Sequence, residues 1–314
     1  MNYKPSLSIV IPVYNAENTI SDLVNQLITD FASEYSLEII LVNDRSQDNS
    51  KNVCIDIFNA HQQLVKFYSL AKNVGEHNAV MAGLNQVTGD YAIIMDDDFQ
   101  NPVSEVRKLV DYAYAHHYDV VYTYYDKKKD PLLKNMGSWF NDKIANIMLD
   151  KPKDLYLSSF KILHTSLIKE IIKYNLPYPY VDGLVLRSTD SIGKLMVKHE
   201  IRIEGKSGYT FRKLVSLWLN MFTNFSIVPL RIATVMGFIF SGFGFIFGLI
   251  SVIEWLLNPN LPRGYTTIIF FVSVVSGVQL VSIGMLGEYI GRVFLSQNKK
   301  PQFLIREKYA KPNR

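Results

Sequence analysis

The 314-residue chain predicts an α/β fold, a mostly parallel sheet with helices between its strands, followed by a C-terminal hairpin of two transmembrane helices. Two observations carry that expectation. Over the first hundred residues, short runs rich in β-branched residues alternate with longer amphipathic stretches, which is the pattern of βαβ units. Over the last third, two long uncharged runs replace the alternation. The 48% hydrophobic share of the whole chain averages these unlike parts.

Leu7 to Pro12 (LSIVIP) reads as the first strand. From Glu17 to Phe31, Ile20, Leu23, Val24, Leu27 and Ile28 fall at helical spacing. Glu38 to Val42 (EIILV) reads as the second strand, with further strands at Val65–Ser69, Tyr91–Met95 and Asp119–Tyr124. The first, second and fourth strands end at polar loops, where open α/β sheets place their ligands. Beyond residue 125 the segment DKKKDPLLKN reads as a charged loop or the start of an interfacial helix. Phe211 to Phe222 sets Leu214, Leu217, Trp218 and Met221 on one face beside Arg212 and Lys213, a helix suited to the membrane interface.

Ile232 to Ile253 is a run of 22 residues without a charge, and Gly264 to Gly287 a run of 24. Each is long enough to cross about 30 Å of hydrocarbon. Buried core helices are the weaker alternative, since soluble helices of that length keep a polar stripe. Gly237, Gly242, Gly244 and Gly248, with Gly277, Gly284, Gly287 and Gly291, suggest close helix packing and leave homo-oligomers open. The expected organisation is an α/β domain over 1–210, an amphipathic juxtamembrane helix over 211–230, two spans within 231–291 (about 232–255 and 265–288), and a basic tail over 292–314.

Between the two spans only Arg263 is basic, whereas Arg212, Lys213, Arg231, Arg292, Lys299, Lys300 and Arg306 flank the pair. The positive-inside rule then predicts a cytoplasmic α/β domain and cytoplasmic termini on the inner membrane. The formal net charge of +4 is too small to argue for nucleic acid. Cys54 is the single cysteine, which excludes an intrachain disulfide and a CxxC metal site. Met1 opens a polar stretch without a cleavable signal pattern.

The strongest chemical signal is Asp96, Asp97 and Asp98 at the end of an apolar strand (YAIIMDDDFQNP). Adjacent carboxylates repel one another, and a divalent cation relieves the repulsion; oxygen-only ligands suit Mg²⁺ or Mn²⁺ bridging to nucleotide phosphates. A solvated acidic turn is the alternative. In IPVYNAE, Pro12 stops the first strand, and Tyr14, Asn15 and Glu17 could meet a nucleobase and ribose. In VNDRSQD, Asp44 follows the second strand and could accept hydrogen bonds from a base. Asx-rich loops commonly follow strands, so each motif alone is weak. Asn73 and Gly75 in AKNVGEHNAVMAG enter a helix.

Together these motifs resemble the family 2 glycosyltransferases of the GT-A fold, with their VIPxYN strand end, D-x-S/D loop, NxG helix start and DxD metal motif. The resemblance extends through SGYTFRKLVSLWLNMFTNFS, both spans, LGEYIGRVF and KKPQFLIRE to the polyprenyl-phosphate glycosyltransferases, including dolichol-phosphate mannose synthase and the bacterial GtrB- and ArnC-type enzymes. It implies metal-dependent, inverting transfer of one sugar from a nucleotide sugar to undecaprenyl phosphate, with likeness to the bacterial branch favouring UDP over GDP or dTDP as the carrier. By motif, Asp96 and Asp98 would be the DxD pair, with Asp98 the direct metal ligand and Gln100 nearby. Asp44, Pro12, Tyr14 and Asn15 would hold base and ribose. Arg202 and Ser207 resemble the R-x-x-G-x-S-x-Y loop that closes over the diphosphate, a role that suits a guanidinium. A solvated loop arginine is the alternative.

Lys127, Lys128, Lys129 and Lys134 could attract the lipid phosphate, or could form a solvated charge run. Many relatives carry an acidic residue in G/S-D-F-R where this chain reads Ser158, Ser159, Phe160 and Lys161. Ser159 cannot serve as a carboxylate base. The absence of Q-x-x-R-W favours single-sugar transfer over polysaccharide synthesis. A glycolipid or polysaccharide acceptor, and a non-catalytic membrane scaffold, are the competing readings.

Overall fold

A computed structural model describes residues 5–125, 152, 155–177, 179–198, 200, 228–257, 264–297 and 301–311. In chain order the strands are β1 (Leu7–Val13), β2 (Leu37–Asn43), β3 (Val65–Leu70), β4 (Tyr91–Ile94), β5 (Val120–Tyr125), β6 (Lys161–His164), β7 (Ile192–Val197) and β8 (Ile305–Tyr309). The helices are α1 (Ile20–Phe31), α2 (Ser50–Ala60), α3 (Glu76–Leu84), α4 (Ser104–His116), α5 (Thr165–Ile171), α6 (Val181–Ser188), α7 (Val228–Leu257) and α8 (Tyr265–Gln297). The five sequence-predicted strands all form, each within one residue of its expected start and end.

These strands make one mixed sheet in the order β7-β5-β6-β4-β1-β2-β3-β8. β1 pairs in parallel with both β2 and β4, β2 in parallel with β3, and β5 in parallel with β7. β6 and β8 run antiparallel to their neighbours. The parallel centre is buried on both faces, as crossover helices require. On one face Ile9, Ile11, Ile39, Leu41 and Ile93 pack with Leu23, Leu27 and Phe31 of α1 and with Val106 and Leu109 of α4. On the other face α3 lies close against the sheet: a Cβ on Gly83 would sit 2.4 Å from Val10 Cγ1. That contact requires glycine.

By internal contacts the chain divides into two units, Met1–Thr210 with Lys300–Arg314, and Phe211–Lys299. The tail is more than a basic extension. Ile305–Tyr309 becomes the edge strand β8 against β3, Tyr309 packs its ring 5.6 Å from Phe67 and 5.8 Å from Phe58, and Lys51 pairs with Glu307 at 2.7 Å. A charged, alternating strand suits an edge, because its outward side chains discourage pairing with other chains.

In the second unit, α7 and α8 are each long and apolar enough to cross a membrane, and they expose large side chains such as Phe238, Phe245 and Leu280. Phe247 and Phe271 meet with ring centres 5.2 Å apart. The glycines contribute nothing to such contacts: a Cβ on any of the eight named above meets no atom within 4 Å. Close packing through those glycines is therefore not made within the pair. The expected amphipathic helix at 211–230 lies almost wholly outside the described residues.

Candidate active site at the strand ends

The strand order reverses between β1 and β4, and a sheet of this kind binds ligands in the crevice outside the carboxyl ends at that point. Three loops leave the sheet there, after β1, β2 and β4. Each contains a non-glycine residue in the left-handed region: Asn15 at φ 56°, Arg45 at φ 60° and Phe99 at φ 61°. Such conformations cost of order 1–3 kcal/mol and persist where surrounding contacts hold them.

Side-chain bonds lace the first two loops together. Asn15 N donates to Ser46 Oγ at 3.1 Å, and Asn15 Oδ1 accepts from Gln47 N at 2.8 Å. Glu17 N donates to Asp48 Oδ2 at 3.2 Å, while Glu17 Oε2 accepts from Asn49 N at 2.7 Å. Asn15 and Glu17 thus shape the loop, while Tyr14 stands out of it, 47% exposed. Pro12 lies within β1, its side chain half-buried.

Asp44 is buried, and both its oxygens are occupied. Oδ1 accepts from Val74 N at 2.8 Å and Oδ2 from Gly75 N at 2.9 Å, while Asn73 Nδ2 donates to Asp44 O at 3.1 Å. The carboxylate therefore ties the β2 loop to the start of α3, where negative charge is favoured. Gly75, at φ 88°, makes that turn possible. Burial raises the Asp44 carboxyl above its ordinary range, and the two backbone donors oppose the shift.

The three acidic residues after β4 point to different partners. Asp97 Oδ2 accepts from Tyr14 N at 3.2 Å and links this loop to the first. Asp98 is buried, and its Oδ1 accepts from Gln100 N at 3.1 Å. Asp96 Oδ2 accepts from Ser159 Oγ at 2.5 Å. Burial, aided by the charges of Asp96 and Asp98, pushes the Asp97 carboxyl up to about 7. Asp96 is likewise held well above the usual carboxylate range, by burial first and by the Glu76 charge second. Gln100 O accepts from Glu200 N at 2.9 Å, which brings the chain just ahead of Arg202 to the acidic loop.

Beside Asp96 opens a cleft of about 210 Å³, lined by Glu76, His77, Ser159, Lys161, Tyr180 and Asp182 among others. Lys161 and Asp182 form an ion pair in its wall, their side chains 5% and 9% exposed. Tyr122 Oη donates to the same Asp182 oxygen at 2.9 Å. Burial holds the His77 imidazole down at about 4, so it is neutral at pH 7. Sequence reasoning missed this wall. Lys161 stood within a noted motif, but Asp182 has no local signal, because its partners lie 21 and 60 residues away.

The strand ends thus bring together Pro12, Tyr14, Asn15, Glu17, Asp44, Asp96, Asp97, Asp98 and Gln100. Arg202, Ser207, Lys127, Lys128, Lys129 and Lys134 lie outside the described residues. Among the described residues no group of three or more His, Cys, Asp or Glu side chains forms a ready metal cage. The donor chemistry nonetheless fits Mg²⁺ or Mn²⁺. Asp96 and Asp98 offer hard oxygens, burial with neighbouring like charges disfavours the bare carboxylates of Asp96 and Asp97, and Mg²⁺ is usually held by one or two carboxylates plus substrate phosphates.

The sequence profile of the family described as "Glycosyl transferase family 2" matches residues 8–172. Undecaprenyl-phosphate 4-deoxy-4-formamido-L-arabinose transferase of Photorhabdus laumondii is 30% identical, over 96% of this chain and 93% of that protein. The enzyme of the same name from Proteus mirabilis is 31% identical, over 98% and 96%. Among solved structures, glucosyl-3-phosphoglycerate synthase of Mycobacterium tuberculosis in complex with UDP superposes with a TM-score of 0.52 at 15% identity, covering 69% of this chain and 79% of that one. The same enzyme with Mn²⁺, UDP-glucose and phosphoglyceric acid gives a TM-score of 0.50 at 16% identity, over 69% and 80%. At such identity the superposition establishes the shared fold alone.

Proposed function

The chain belongs to glycosyl transferase family 2 and is a glycosyltransferase, and from that premise we propose that it transfers a single sugar from a nucleotide-sugar donor, UDP-linked, to undecaprenyl phosphate at the cytosolic face of a membrane. The observation that carries this reading is the acidic loop Asp96–Asp98 at the reversal point of the sheet, in a chain that also holds two apolar helices. Near full-length similarity to two undecaprenyl-phosphate sugar transferases supports the acceptor.

In the proposed reaction a non-bridging oxygen of the acceptor phosphate attacks the anomeric carbon. The bond from that carbon to the donor's β-phosphate oxygen breaks, its electron pair leaves with the nucleoside diphosphate, and the configuration inverts. A phosphate monoester with a second pKa near 6 is already mostly dianionic at neutral pH, so no side chain need remove a proton. That agrees with a serine, Ser159, at the position where many relatives carry an acid. The residues' work is positioning and charge stabilisation.

Asp98 and Asp96, with Gln100 beside them, would hold a divalent ion. When bound, it neutralises charge on the departing diphosphate. Asp97 braces Tyr14 N, and Tyr14, Asn15, Glu17, Pro12 and Asp44 form the base and ribose side of the site, with Asp44 acting through its hold on α3. Arg202 and Ser207 are assigned to closure over the diphosphate, and Lys127, Lys128, Lys129 and Lys134 to attraction of the lipid phosphate. The pairing of β8 with β3 supports a common face for the segments before and after the helix hairpin, since an even number of crossings returns the chain to its starting side; the basic flanks support assigning that face to the cytoplasm.

The test is transfer of radiolabelled sugar from a panel of nucleotide sugars into organic-extractable lipid, using the full chain in bilayers containing undecaprenyl phosphate. Label in an acid-labile lipid, abolished by EDTA, is the expected result. Label in an acid-stable glycolipid, or none with any donor, overturns the reading.

A further inference from the structure

Ser159 faces Asp96 across the sheet. β6 runs antiparallel to β4, and their register ends with Ile94 opposite Lys161. Carried two residues further, past the ends of both strands, that register sets Asp96 opposite Ser159. Residues so placed have Cβ atoms about 5 Å apart, within reach of a short side chain. The Ser159 hydroxyl spans the gap and donates to Asp96 Oδ2 at 2.5 Å, a length typical of a hydrogen bond to a charged acceptor. Asp97 and Asp98 take their bonds from backbone donors instead, Tyr14 N and Gln100 N.

The chain on either side of this serine is fixed. Ser158 and Phe160 are buried. Ser158 Oγ stands 2.6 Å from Phe160 O and 2.8 Å from Thr123 Oγ1, and Thr123 Oγ1, on β5, donates to the same carbonyl at 2.7 Å. One residue further on, Lys161 is anchored by its ion pair with Asp182. Between these anchors Ser159 is partly buried and lines the cleft. Its single heavy-atom torsion has three staggered positions, and the one it takes points the hydroxyl at Asp96. A carboxylate gripped by a donor on so rigid a base keeps its orientation before any ligand arrives, which is how outer partners commonly hold the ligands of a metal.

Resting on the reading that the acidic loop holds a divalent ion, we propose that Ser159 is a positioning residue, whose hydroxyl orients the Asp96 carboxylate toward that ion and so sets the affinity of the site for Mg²⁺ or Mn²⁺.

Calorimetric titration of UDP into the full-length protein at stepped Mn²⁺ concentrations tests this, for the wild type, Ser159→Ala and Ser159→Thr. Loss of an outer partner typically costs 10–100-fold in metal affinity, so Ser159→Ala is expected to need at least about tenfold more Mn²⁺ for half-maximal UDP binding. At saturating Mn²⁺ its UDP affinity is expected to return to within about twofold of the wild type, because excess ion makes up for weaker binding of the ion. Ser159→Thr keeps the hydroxyl and is expected to stay within about threefold of the wild type on both measures. A Mn²⁺ requirement in Ser159→Ala equal to that of the wild type overturns the inference and leaves the metal reading intact. So does an equal loss in Ser159→Thr, or a UDP affinity that added Mn²⁺ does not restore, since either marks a disturbed wall rather than a lost donor. Should Ser159→Ala fail to fold, as judged by thermal unfolding, Ser159→Cys, a weaker donor of similar size, carries the same expectation and the same contrary outcomes. UDP binding by the wild type that is indifferent to Mn²⁺ overturns the metal reading, and the inference falls with it.

Discussion

The two ends of the central sheet treat buried carboxylates in opposite ways. At the amino ends of the strands, Glu38 accepts from Lys66 Nζ, Ser8 Oγ, Thr88 N and Thr88 Oγ. Burial alone would raise its carboxyl, but these donors outweigh burial and hold it below the ordinary value. Asp90 beside it caps Ser6 through N–H and hydroxyl at 2.8 Å each. At the carboxyl ends, Asp96 and Asp97 have one hydrogen-bond partner apiece from outside the acidic loop, lie next to like charges and are pushed up. One end is satisfied by the fold. The other leaves two carboxyls raised, by burial first, beside three left-handed loop residues, and a cation with a diphosphate would favour their charged forms.

The comparison breaks if both ends answer alike to substitution. The largest expected effect is on turnover: Asp98→Asn lowers the rate about 10²–10³-fold, the loss typical of one electrostatic stabiliser, with a melting temperature unchanged or raised because a repelling charge is gone. Glu38→Ala does the reverse. It strands Lys66 and lowers stability by about 3 kcal/mol, measured by denaturant unfolding of the detergent-solubilised chain, while turnover per folded molecule is retained.

A smaller loss is expected at the sheet edge. Tyr309→Ala, which removes a half-buried ring from Phe58 and Phe67, costs about 2 kcal/mol. Hydrogen exchange would locate the damage at β3 and β8. The smallest effect concerns pH. The folded His77 pKa of about 4 lies below its unfolded value. The stability it allows is therefore complete above pH ~6.5 and declines as pH falls toward 4, by about 1 kcal/mol after allowance for partial exposure. His77→Gln should flatten thermal stability over that window.

The parallel centre of the fold was legible because each buried strand is a short β-rich run closed by a polar loop, and α1 shows its buried face as Ile20, Leu23, Val24 and Leu27. β6 and β8 were not legible. β6 has four residues, Lys161–His164, and β8 reads IREKY, whose charges look like a tail until β3 supplies a partner. The acidic residues and the loop positions of the site stood out as motifs. The roles of Asp44 and Asp97 did not, since their carboxylates are directed to backbone N–H groups 30 and 83 residues distant. The cleft wall was hidden for the same reason: Lys161, Asp182 and Tyr122 meet only in three dimensions.

The account stands on the acidic loop gripping a diphosphate through a divalent ion. Calorimetric titration of UDP into the full chain, with Mn²⁺ and with EDTA, for the wild type and Asp98→Asn, measures this directly. Binding that requires Mn²⁺ in the wild type and is lost in the variant is the predicted result. Equally tight UDP binding in EDTA, or in Asp98→Asn, would contradict it.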